Sequence, residues 1–142
     1  MNGLLVDHNI EGHMTRLLDV LFSVGYGDLW EKLNLAIDTC RSWGIADSTD
    51  DRTLWNLCQT RGYSLVTANR NHDGENSLEA AIRAGGLADF PVFTLADANR
   101  IMNDSEYALA AGISLIEYLL NFERTPESVL GTGRLYLPSK TQ

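Results

Sequence analysis

The run Leu4-Leu5-Val6, broken off by Asp7-His8-Asn9, constrains this chain more than any other stretch. Three consecutive aliphatics without polar alternation describe a buried central strand, and the polar group after them marks where that strand meets solvent. In open α/β sheets ligands bind outside the carboxyl ends of the strands. Asp7 is therefore the first candidate site residue, and the question becomes which later residues converge on it.

The remaining chain alternates between strand and helix patterns. Leu17, Leu18, Leu21 and Phe22 recur at helical spacing within a helix expected over about 10–24, closed by Gly25 and Gly27. A short turn is expected over 28–32. Leu33 to Asp38 alternates every second residue and predicts a strand with one better-buried face. Asp47-Ser48-Thr49-Asp50-Asp51 is helix-start chemistry, and the helix it opens runs to about Arg61 with Leu54, Leu57 and Cys58 on one side. Gly62 closes it, and Ser64 to Thr67 makes another short buried strand ending in the polar stretch 68–75.

Asn76 and Glu79 have capping-box spacing ahead of a helix that carries Leu78, Ala81 and Ile82, terminated by Gly85-Gly86. A fourth strand is expected over Pro91–Leu95, a helix over about 96–102, and a longer helix over about 105–122 with a stripe of Leu109, Ile113, Ile116 and Leu120. Arg134 to Leu137 is a short extended piece. Connections of about 20 residues suffice for right-handed crossovers between parallel strands. The expected architecture is a three-layer α/β/α sandwich around a central, mainly parallel sheet, forming one domain over 1–142 with a C-terminal helical extension from about 96.

Composition narrows the function classes. At 142 residues with 44% hydrophobic content and 3 prolines, the chain can bury a proper core and is not of disordered type. No stretch approaches the roughly 20 apolar residues of a membrane span, and no export signal is visible at the start, so no membrane partner and a cytoplasmic location are expected. The 2 cysteines, Cys40 and Cys58, lack zinc-ligand spacing and read as buried thiols. A net charge of −8 opposes bulk binding of phosphate backbones. It leaves open an acidic site in which divalent cations reverse the local sign.

Three short motifs carry a resemblance. Leu-Val-Asp7-His8-Asn9, then Ser-Thr-Asp-Asp51-Arg-Thr-Leu-Trp-Asn-Leu-Cys, then Ser-Leu-Val-Thr67-Ala68-Asn69-Arg70-Asn71 together resemble, in order and spacing, the PIN-like nuclease superfamily. The style is that of the small PIN-like proteins of toxin–antitoxin systems, and the motifs cover about the first 75 residues. The resemblance implies a ribonuclease using Mg²⁺ or Mn²⁺, with Asp7 as the first-strand metal ligand, Asp51 as the helix-start acid, and Thr67 orienting a ligand or water. It also implies single-stranded RNA as substrate, a cognate antitoxin or other protein as partner, and a homodimer.

The chain departs from the family pattern. Where that pattern has Thr-x-Asp-x-Asp, this sequence has Asn69 and Asn71, and no helix glutamate stands between the second strand and Asp51. An amide offers Mg²⁺ an oxygen but no charge, and charge offsets the cost of dehydrating the ion. Glu75 or Asp73 restores a ligand if the loop folds back, and Asp47 or Asp50 does the same beside Asp51. The catalytic set is then Asp7, Asp51 and Asn69, and the metal set is Asp7, Asp51, Asn71 and Glu75. His8, Asn9, Thr67 and Arg70 are assigned to substrate.

Each residue also has a plainer role. Asp7 can cap the next helix, Asp51 can meet a helix dipole, Asn69 and Asn71 suit turns, and Arg70 is a solvated charge that near a phosphate becomes an anchor. Asn9 can bond across the site or cap the helix starting near Ile10. His8 and His13 lack the i, i+4 spacing of zinc proteases, and Trp30, Trp43 and Trp55 read as core. The absence of a glycine-rich loop after the first strand argues against a dinucleotide fold and a P-loop. Asn9 stands where a haloacid-dehalogenase-like phosphotransferase needs its second aspartate. A receiver module lacks its strand-end lysine, because the lysines are Lys32 and Lys140. Two hypotheses remain: a metal-dependent PIN-like ribonuclease, and a catalytically weak or inactive PIN-like binding or regulatory module.

Overall fold

A computed structural model describes residues 1–68, 90–122 and 134–139. Its elements are β1 (Gly3–Val6), α1 (Glu11–Ser23), α2 (Gly27–Leu33), β2 (Ala36–Thr39), α3 (Asp51–Arg61), β3 (Tyr63–Thr67), β4 (Val92–Leu95), α4 (Ala98–Asn103), α5 (Ser105–Leu120) and β5 (Arg134–Leu137), with 3₁₀ turns at His8–Ile10 and Arg41–Trp43. Among the described residues the fold is α/β, with five strands, all parallel, in the order β2-β1-β3-β4-β5. No helix among them is long and apolar enough to cross a membrane.

Strand alternation sorts the core into two layers. Leu4, Val6, Val66, Phe93, Leu95, Leu135 and Leu137 face one side, where they meet Met14, Leu17 and Leu21 of α1 and Ala108, Ala111 and Leu115 of α5. Leu5, Leu65 and Val92 face the other, where Leu54, Trp55 and Cys58 of α3 pack with Cys40. Both faces of β1 are thus covered, which is why Leu4, Leu5 and Val6 form an unbroken apolar run. Each such side chain taken fully out of water contributes about 1.5–3 kcal/mol.

Several expected boundaries shift for local reasons. The alternating segment from Leu33 is not all strand: Leu33 ends α2, Asn34 takes a left-handed conformation (φ 51°) as its C-cap, and β2 begins only at Ala36. The turn expected at 28–32 is this helix, anchored by buried Trp30. α1 begins one residue later than expected, after the 3₁₀ turn. Gly62 does end α3, with φ 77° and its amide turned back to the carbonyls of Cys58 and Gln59.

The stripe expected on the long helix is rotated. Ala108, Ala111, Gly112, Leu115, Ile116 and Leu119 of α5 are buried, while Leu120 is 50% exposed and Leu109 and Ile113 are half-buried. Small residues decide the face. A Cβ on Gly112 would stand 2.5 Å from Leu21 Cγ, so α5 can meet α1 this closely only through a residue without a side chain. The predicted capping box and helix of 76–86 lie outside the described residues.

Candidate functional site

The strand order creates a switch point. From β1 the chain moves to β2 on one side, then crosses back over β1 to place β3 on the other, so the strands that follow β1 and β3 lie on opposite sides of the pair. A crevice at the carboxyl ends of two such strands is where α/β sheets bind ligands. The residues delivered there are Asp7, directly after β1, and Thr67, the last of β3.

Register fixes which way they face. Leu5 pairs with Leu65 and Val6 with Val66, and the Asp7 amide continues the ladder by donating to the Val66 carbonyl at 2.9 Å. Asp7 and Thr67 therefore project on the side of Leu5 and Leu65, toward α3. Helix α3 runs from the carboxyl end of β2 to the start of β3, so its first residue, Asp51, lies at the same end of the sheet.

The Asp7 carboxylate is held at both oxygens. Oδ1 accepts the His8 backbone N–H at 2.8 Å and stands 3.1 Å from His8 Nδ1, while Oδ2 accepts the Thr67 hydroxyl at 2.8 Å. Thr67 is fully buried, the Asp7 side chain is 14% exposed, and that of His8 is 37% exposed. An ionised carboxylate has about four acceptor positions. The bonds from the His8 amide and from Thr67 orient the group and leave acceptor capacity directed at the cavity.

That cavity, about 400 Å³, is lined by Asp7, His8, Asn9, Cys40, Ile45, Ala46, Asp47, Thr49, Asp51, Leu54, Thr67 and Ala68. Of the sequence candidates it brings together Asp7, Asp51, His8, Asn9 and Thr67, and with them Asp47, one of the two acids the sequence offers beside Asp51. Asp50 serves the helix instead. As N-cap of α3 its side chain accepts the Thr53 amide at 2.8 Å, and this bond lowers its pKa from 3.8. Asn9 is no helix cap; it sits in the 3₁₀ turn capped by Asp7, and α1 has no side-chain cap. Asn69, Arg70, Asn71, Asp73 and Glu75 lie outside the described residues.

Residues that sequence reasoning left out also contribute. Cys40 follows β2 as Asp7 follows β1, so the same strand-end rule identifies it. Its thiol approaches the Val6 carbonyl at 3.9 Å, and burial, then the negative charge of Asp7, push its pKa up. Ile45, Ala46, Thr49 and Leu54 complete the lining. Just before Ile45 in the chain stands Trp43, whose indole N–H donates to Asp38 at 3.0 Å, whose ring meets Tyr63 edge-on at 4.9 Å, and which carries Arg61 at 4.3 Å.

Carboxylate, hydroxyl and amide oxygens are the donors a hard divalent cation takes. Asp7 and Asp51 are the carboxylates that both the cavity and the sequence motifs nominate. Among the described residues, however, no three His, Cys, Asp or Glu side chains stand close enough together to hold a metal ion. Compared with protein-family models, curated proteins and solved structures, the chain has no significant match to any.

Proposed function

We propose that the chain is a PIN-like nuclease hydrolysing RNA phosphodiester bonds, with Mg²⁺ or Mn²⁺ held by Asp7 and Asp51. One observation carries this reading: Asp7, Asp51 and Thr67, from three separate motifs, line a single cavity at the switch point of the sheet. A bound divalent cation supplies charge neutralisation at the phosphate and eases deprotonation of an attacking water. The protein's own part is orientation. Thr67 and the His8 amide hold the Asp7 carboxylate in one rotamer, while Asp47 and Asp51 make the cavity unfavourable to a phosphate without a cation.

A second reading, an inactive PIN-like binding module, is favoured by one feature. The described residues assemble no three-membered group of metal-ligating side chains. Calorimetric titration with Mn²⁺, paired with cleavage of single-stranded RNA, separates the two. The nuclease reading expects a saturable heat and metal-dependent cleavage, both lost in Asp7→Asn while the fold is retained. Cleavage surviving Asp7→Asn sinks that reading, and a wild-type protein with neither heat nor cleavage is the binding module.

A further inference from the structure

Part of the cavity's lining is not explained by cation chemistry. Among the residues that line it beside the acids are Ile45, Ala46 and Leu54, three aliphatic side chains that neither ligate a cation nor attract a phosphate. We propose that this aliphatic part of the lining seats one unpaired nucleobase in the cavity that Asp7 and Asp51 also line, so that a strand enters one extruded nucleotide at a time. The seat needs no metal, and its coupling to cleavage rests on the nuclease reading.

Size, chemistry and rigidity support it. At about 400 Å³ the cavity lies at the small end of ligand pockets, suited to a single nucleotide rather than a duplex whose bases are stacked inside. A base has an apolar face whose burial against aliphatic side chains is favourable whatever the base's identity. This part of the lining is also preformed. The Ile45 amide donates to the Cys40 carbonyl at 2.9 Å, the Thr49 amide donates to the Ala46 carbonyl at 3.0 Å, and Leu54 is buried in the α3 core. Ala46 itself is exposed, so a larger side chain there fills the recess without entering the core.

The test follows the methyl resonances of Ile45 and Leu54 by NMR as adenosine, uridine or ribose is added without metal. Saturable shifts are expected with both nucleosides and not with ribose, and Ala46→Trp and Ile45→Ser should both abolish them in a folded protein. No shifts, equal shifts with ribose, or shifts surviving Ala46→Trp overturn the seat. In the full reaction with Mn²⁺, one abasic ribose beside the cut should raise KM about tenfold with kcat little changed. Nucleoside binding without metal-dependent cleavage keeps the seat and overturns the nuclease reading. Cleavage without nucleoside-induced shifts does the reverse.

Discussion

The Thr67 hydroxyl donates to Asp7 Oδ2 at 2.8 Å, tying the end of β3 to the end of β1 across the switch point. One partner is fully buried and the other almost so, which makes the bond both a strand clamp and the device that sets the carboxylate's rotamer.

Thr67→Val keeps the shape and removes the donor. Loss of a hydrogen bond to a charged, largely buried acceptor should cost about 1.5–3 kcal/mol in urea denaturation. If Asp7 holds a cation, Mn²⁺ affinity measured by calorimetry should fall about ten- to a hundredfold, the usual effect of losing a group that orients a ligand. Unchanged affinity with reduced stability would confine Thr67 to the clamp.

Cys58 gives a pH dependence of definite sign. Burial first, and then the neighbouring Cys40, push its thiol from 9.0 to about 12. The folded state therefore keeps the proton after the unfolded chain has lost it, and stability should fall as pH rises from about 9 toward 12. The limiting contribution is about 4 kcal/mol. Urea midpoints across that range should decline less steeply in Cys58→Ala, and thiol reagents at pH 8 should label Cys58 only as the protein unfolds.

The acid limb should report the helix caps. Asp50 accepts the Thr53 amide and Asp104 the Tyr107 amide, and these bonds lower both pKa values below 3.8. Their contribution is complete above that value and is lost as pH falls through the lowered ones. Asp50→Ala should reduce thermal stability at pH 7 more than at pH 2, while Asp50→Asn retains most of the cap.

Gly112 and Leu21 should behave as one unit. Gly112→Ala forces a Cβ against the Leu21 side chain and should destabilise by about 1–3 kcal/mol. Leu21→Ala, which empties a fully buried position, should cost about 2–5 kcal/mol. In the double variant the two losses should fall short of their sum by at least about 0.5 kcal/mol in denaturant titrations, because each change relieves the other. Additive losses would mean that α1 and α5 move apart instead.

Local patterns in the sequence already carry much of the site. An unbroken Leu4-Leu5-Val6 run demands burial on both faces, and its abrupt end exposes Asp7. Acids ahead of an apolar helix pattern mark the start of α3, and Thr67 closes a second run of the same kind. Legibility failed where one residue type serves two purposes. Asp47, Asp50 and Asp51 look alike in sequence, yet Asp50 binds the Thr53 amide while the other two line the cavity.

By itself, the sequence determined that this chain takes an α/β fold with Asp7 at the end of a buried strand, because hydrophobic period and helix-start chemistry are properties of neighbouring residues. Only the tertiary structure decided that β3 lies beside β1, that Thr67 therefore reaches Asp7, and that α5 comes closest to Leu21 of α1 at Gly112. Those outcomes depend on strand order, register and the closest approach of two helices, which arise from contacts between residues far apart in the chain and leave no local period to read.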